Sequence, residues 1–177
     1  DPPLQRTDMI YPIVKYGQEV LEKPAEPVTE FDAELEKLVA DMFETMYAAN
    51  GVGLAAPQIG IAKRLCVIDA SVGEDPKQKL VLVNPVILST EGKQVQEEGC
   101  LSLPEFRANT GRPQKATVRA QDVHGEEFTM PGEGLLARAF CHEIDHLNGV
   151  LFIQHLSMLK RDSIKRKVRK LVKAGEW

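Results

Sequence analysis

The stretch His142-Glu143-Ile144-Asp145-His146 sets two imidazoles four residues apart with a carboxylate between them. Its apolar neighbours Phe140 and Leu147 place it on a helix, where positions i and i+4 lie one turn apart on one face. His142 and His146 can then aim two ring nitrogens at one divalent metal ion. Glu143 stands one step round the helix, where a carboxylate can take a proton from a metal-activated water and pass it on. The two common metallopeptidase completions are missing. Residues 147–175 hold no glutamate, and H-E-x-x-H-x-x-G-x-x-H matches as far as Gly149, then meets Phe152 in place of its last histidine. The third ligand must come from elsewhere in the chain.

Three cysteines compete for that place. Cys66 lies within an apolar strand and reads as a small core residue. Cys141 precedes His142 on the same helix and points about 100° away from it, beside the site rather than onto its metal. Cys100 stands in Glu98-Gly99-Cys100-Leu101-Ser102-Leu103-Pro104, where the glycine and proline mark an irregular strand end. A thiolate there is free to meet a helix from another part of the fold. Cys100, His142 and His146 together leave a fourth tetrahedral position open, as catalytic sites do. Such a set accepts Zn2+, Fe2+, Ni2+ or Co2+.

Gly51-Val52-Gly53-Leu54-Ala55-Ala56-Pro57-Gln58-Ile59-Gly60 nominally fits a dinucleotide fingerprint, but it follows a helix and carries Pro57 where a helix should open. It reads instead as a loop of bare backbone that something can approach closely. Gln58 is its one long polar side chain. The amide could donate to a developing oxyanion or satisfy loop backbone, and the stretch alone favours neither.

These groups need elements to hold them. Asp32 caps a helix whose apolar stripe is Leu35, Leu38, Val39, Met42, Phe43 and Met46, ending at Asn50-Gly51. Tyr11 to Pro27 reads as loop with a short turn. Residues 65–68 and 80–83 read as buried strands, with an interruption at Asn84-Pro85 before apolar residues resume at 86–88. Residues 92–98 form a weaker, polar strand. Residues 117–120 and 127–130 flank a hairpin turn in which His124 is exposed. The metal helix spans 132–147 and stops at Asn148-Gly149. His155 has no partner at useful spacing and reads as structural. The last helix, basic over 160–177, puts Ile164, Val168, Leu171 and Val172 on one face.

The chain of 177 residues is expected to form one domain over 1–177, with residues 1–9 as a mobile leader. Its composition, 43% apolar and 27% charged, is that of a soluble globular protein. No apolar run reaches the roughly 20 residues of a membrane span. Three widely spaced cysteines make no disulfide framework and favour a reducing compartment. From Lys160 onward there are eight lysines or arginines against two acids, a charge of +6, so the rest carries −10 within the net −4. A basic tail on an acidic body suits docking to an anionic partner, or is simply a solvated helix face. Neither DNA nor a membrane is expected as a partner.

Three stretches together, Gly51 to Gln58, Glu98 to Ser102 and His142 to His146, resemble the three motifs of the peptide deformylases in order and separation. The likeness runs roughly from Ile10 to Ile153. It implies an α+β fold: antiparallel sheets around a central metal-binding helix, with an N-terminal and a C-terminal helix. It implies hydrolysis of N-formyl-methionyl peptides in the bacterial cytoplasm, releasing formate. By the same resemblance, Cys100, His142 and His146 bind one divalent metal, Fe2+ in the first place. Glu143 is the general acid and base, and Gln58 with the Leu101 N–H holds the oxyanion. Val52, Phe140 and Cys141 contribute to a methionine pocket. Gly53 and Gly99 let the peptide lie close, and Arg107 stands near the pocket mouth. The basic C-terminal helix resembles that of bacterial forms able to dock on the ribosome near the exit tunnel.

Two other readings remain at this stage. One is a different amide hydrolase or zinc peptidase. The other is a structural metal module that binds a partner through the tail, which would require a fourth ligand such as Cys141.

Overall fold

The computed structural model describes residues 9–177. The expected leader falls on residues 1–9, of which 1–8 lie outside the described residues; the backbone N–H of Met9 donates to Asp41 Oδ1 at 2.9 Å.

Helix α1 (Ala33–Ala48) begins where Asp32 accepts a bond from the Leu35 N–H, with Glu34 and Glu36 beside the positive helix end. It ends as Asn50 turns left-handed at φ 57° ahead of Gly51. Strands β1 (Gly53–Ala55), β2 (Leu65–Asp69), β3 (Lys79–Glu91), β6 (Lys115–Gln121) and β7 (Glu127–Glu133) form one antiparallel sheet in the order β1-β2-β3-β6-β7. Strands β4 (Gln94–Cys100) and β5 (Leu103–Arg112) leave it as a separate hairpin. Helix α2 (Leu135–Leu147) follows β7, and α3 (Met158–Lys173) follows a 3-10 turn at Phe152–His155.

Strand β2 explains the layering. All five of its residues are buried, because the sheet is covered on both faces here. Leu65 and Val67 pack with Val39, Met42 and Met46 of α1. Cys66 and Ile68 pack with Phe140, Ile144 and Leu147 of α2. A third apolar cluster joins Leu103 and Ala108 of β5, Leu151–Ile153, and Ile164 and Val168 of α3. Within it Phe152 stacks on His142 at 6.4 Å between ring centres. The metal helix thus runs between the large sheet and the elements of the third cluster.

Several expectations change. Gly51–Gly60 is not all loop: residues 53–55 pair with β2, and a 3-10 turn at Ala56–Ile59 carries Gln58. Asn84-Pro85 does not break β3. Asn84 takes φ 51° in a bulge, and its side chain supplies the lost ladder by bonding both Val28 backbone groups and Gln121. The metal helix opens at Leu135 because residues to Glu133 continue β7. Strand β5 was not expected at all. Its inward positions include Thr110 and Arg112, which break the apolar alternation that marks a strand. Helix α3 spans Met158–Lys173, and its buried face is Ile164 and Val168; Leu171 is half-buried, and Val172, one turn beyond Val168, is 57% exposed. His124 lies in the exposed turn, 3.7 Å from Glu36. Among the described residues no helix is long and apolar enough to cross a membrane.

Candidate metal centre

Gly134, at φ 61°, turns the chain out of β7 into α2. Two turns on, His142 and His146 meet edge to face, with ring centres 4.8 Å apart, planes inclined at 69° and their Nε2 atoms 3.1 Å from each other. The β4–β5 hairpin brings Cys100 to the same point, its Sγ 3.3 Å from His146 Nε2. One ligand atom from each of the three residues lies within 4.8 Å of the others, the one such group of His, Cys, Asp or Glu among the described residues. Donors on a tetrahedral ion with bonds of about 2.0–2.3 Å stand roughly 3.3–3.6 Å apart. The convergence of two imidazoles and a thiol fits a divalent transition metal. Cys141, the possible fourth ligand of a closed site, faces the apolar layer against the sheet instead.

Glu98, two residues before Cys100 on β4, holds this arrangement. Its Oε1 accepts from His142 Nδ1 at 2.5 Å and from Arg112 Nη2 at 2.6 Å, while its Oε2 accepts from Arg112 Nε and Arg138 Nη1. Protonation of Nδ1 leaves the Nε2 lone pair of His142 turned to the cluster, the usual task of a carboxylate behind a metal-binding histidine. Burial alone would raise the Glu98 carboxyl. The bonds and charges of His142 and Arg112 outweigh it and hold the group well below the usual carboxylate range. Arg112 reaches on to Asp145, which also meets His155 Nε2 at 2.8 Å. His155 therefore has a partner after all.

The sequence reading missed this ionic layer. Two signals pointed to it: Arg138 stands four residues before His142 on the ligand face, and Asp145 is an acid in the last turn of a helix, against the dipole.

Glu143 is 4% exposed and its Oε1 has no partner. Burial pushes its carboxyl up to about 7, against the pull of His142. Burial, then the charge of His142, drives His146 well below the ordinary imidazole range, keeping it neutral. Gln58 satisfies loop backbone through one end of its amide and turns the other towards Cys100. Its Oε1 accepts from the Ala55 N–H at 3.0 Å, while Nε2 points to Ser102 Oγ at 3.2 Å and Cys100 Sγ at 3.5 Å. Leu101 follows Cys100 in the turn between β4 and β5.

A groove of about 380 Å³ opens on Cys100 and is lined by Val52, Gly99, Leu101, Phe106 and Arg107. Arg107 pairs with Glu97 at 2.6 Å and crosses Gly99 so closely that a β-carbon there would lie 2.9 Å from Nη1. Phe140 and Cys141 do not line it. Phe140 is fully buried in the layer against the sheet, because a helix turns the residues just before His142 away from the ligand face.

A family model described as polypeptide deformylase matches residues 10–162. The chain belongs to that family. It is 63% identical over 169 residues to the peptide deformylase of Acidobacterium capsulatum, covering 96% of this chain and 99% of that one. The crystal structure of a peptide deformylase from Legionella pneumophila superposes with a TM-score of 0.87 at 49% identity, over 94% of this chain and 97% of that one. The deformylase of Synechococcus elongatus, in complex with actinonin, aligns with a TM-score of 0.84 at 40% identity, over 89% and 86%. The protein is accordingly a hydrolase that removes the N-formyl group from the formyl-methionine of nascent polypeptides and releases formate. The family depends on a metal, and the Cys100, His142 and His146 cluster is a possible site for it.

Proposed function

We propose that Cys100, His142 and His146 hold one divalent metal and that Glu143 moves the proton in deformylation. The convergence of those three donors beside a buried carboxylate carries this reading. When bound, the metal lowers the pKa of water from about 15.7 towards about 7 and polarises the formyl oxygen. Glu143 takes the proton of the attacking water and returns it to the leaving amine, so formate and a free N-terminus result. Gln58 Nε2 and the Leu101 N–H face the developing oxyanion, where loss of one donor costs roughly 10²–10³ in rate. Val52, Gly53, Gly99 and Arg107 border the path of the peptide. The groove is also the place where this chain would take actinonin.

Fe2+ is the first choice for the metal by resemblance to the family, with Zn2+, Ni2+ and Co2+ also suited to the donor set. The described residues, 9–177, act as one domain in the bacterial cytoplasm. The exposed Lys160, Arg166, Lys167, Arg169, Lys170 and Lys173 of α3 present a basic face to the ribosome near the exit tunnel. Ribosome co-sedimentation that weakens with salt and with charge reversal of α3 tests that partner.

The deciding experiment is formate release from a short formyl-Met peptide by protein prepared without oxygen and loaded with Fe2+. An acetyl-Met peptide and Glu143→Ala are the controls. Release from the formyl peptide alone, lost in a variant that retains its metal, supports the assignment. Wild-type turnover in Glu143→Ala would remove Glu143 from the proton transfer.

A further inference from the structure

The outer wall of the groove lacks regular support. Gly99 pairs with Arg107 but Cys100 pairs with Leu103, so residues 104–106 bulge from the hairpin, and Glu105 takes φ 69°. A bulged lip with a left-handed non-glycine residue is held by its surroundings rather than by the ladder. Phe106 forms part of this lip and lines the groove. Behind it stands Trp177, with ring centres 6.0 Å apart and the planes inclined at 62°.

Trp177 reaches that place because Gly175, at φ 69°, reverses the chain after α3, with the Glu176 N–H bonded back to the Leu171 carbonyl. The indole Nε1–H then donates to the Tyr16 carbonyl at 2.8 Å, and Lys15 Nζ donates to the Trp177 carbonyl at 3.2 Å. The segment so gripped is itself tied to the site. The Tyr16 N–H donates to the Ser102 carbonyl at 2.8 Å, and the Val14 N–H to the Gln58 carbonyl at 2.7 Å.

We propose that Trp177 is a positioning residue for the peptide groove, backing Phe106 and pinning the Val14–Tyr16 segment against the backbone that carries Gln58 and Ser102. This rests on the reading of the groove as the peptide site. Trp177 touches no reacting atom, and the Gln58 side chain is held by Ala55 and Ser102 without it, so its loss acts on peptide binding and leaves the chemical step in place.

The test is a double-variant cycle on the metal-loaded full chain, measuring kcat and KM for a formyl-Met-Ala-Ser peptide. Trp177→Ala should raise KM roughly 2–10-fold, the range set by ordering one side chain on binding, with kcat within about twofold. Phe106→Ala should do likewise, and the double variant should be no worse than the worse single one. Trp177→Phe, which keeps an aromatic edge without the donor, should show a smaller rise and serves if Trp177→Ala does not fold. Wild-type KM in the Trp177 variants, a fall confined to kcat, or full multiplication of the two effects would overturn the proposal. A raised KM in Phe106→Ala beside an unchanged Trp177→Ala removes the proposal alone. An unchanged KM in Phe106→Ala removes the groove reading and the proposal with it. The chain has a single tryptophan, so its emission reports directly: Phe106→Ala should shift it, and an unshifted spectrum speaks against the contact.

Discussion

Gly53 of β1 faces the carboxylate of Glu143 so closely that a β-carbon on it would lie 2.6 Å from Oε2. The neighbouring Cδ and Cγ would be 2.9 and 3.1 Å away, so the whole end of the glutamate would have to move. Glu143 is buried, so its displacement has to be taken up within a packed interior. The bare Cα therefore makes room for the proton carrier as well as for an approaching peptide. Gly53→Ala should keep its metal and lose about 10²-fold in kcat, the cost of a displacement near 1 Å at a reacting group. Formate-release kinetics with metal analysis of the same sample checks this, and an unimpaired kcat would show that the carboxylate relaxes freely.

Cys100→Ala removes the one donor that comes from outside α2. Two histidines on one helix remain, which is too few for tight binding. The variant should come through gel filtration without metal by elemental analysis, while thermal unfolding stays cooperative. An unchanged metal content would sink the assignment of Cys100.

Glu98→Gln leaves Arg112 and Arg138, with side chains only 3% and 8% exposed, without their shared counter-charge. It also weakens the anchor on His142 Nδ1. Metal affinity should fall roughly 10–100-fold, and stability should fall by about 3–5 kcal/mol, as when a buried pair loses one member. Chelator competition reads the first effect and urea unfolding the second. Wild-type affinity would mean that packing alone orients His142.

In the metal-free protein the contribution of Glu143 to stability should fall as pH rises. Burial lifts the Glu143 carboxyl from its ordinary 4.5 to about 7. A group with a raised folded-state pKa stabilises the fold fully below its unfolded value and loses that contribution as pH passes the folded one. The displacement corresponds to roughly 3 kcal/mol, lost between about pH 4.5 and about pH 8. Glu143→Gln, uncharged throughout, should be the more stable protein at about pH 8 and should match wild type near pH 4.5. A gap that stays constant across that range, in parallel urea titrations, would contradict this origin.

The local elements are legible in the order of residues alone. The i, i+4 histidines, the α1 stripe behind Asp32, the doubly covered β2 and the β6–β7 hairpin all carry their patterns within one segment. Those patterns reflect how a helix or strand presents side chains, which depends on neighbours in sequence. The resemblance of three short motifs extended that reading to the family. Tertiary structure decided what crosses between segments. Cys100 meets His146 across 46 residues only because the β4–β5 hairpin folds over α2. Strand β5 stayed hidden because its inward Thr110 and Arg112 look wrong for a core. Arg112 becomes stable there only when Glu98 from β4 and Asp145 from α2 supply partners, while the Thr110 hydroxyl donates to the Ala108 carbonyl. The family resemblance implies Phe140 and Cys141 as pocket residues, yet a step of one residue on a helix is about 100° of rotation and turns them into the sheet. Which face of α2 meets metal and which meets core is set by the two layers that enclose it, and no single segment encodes both.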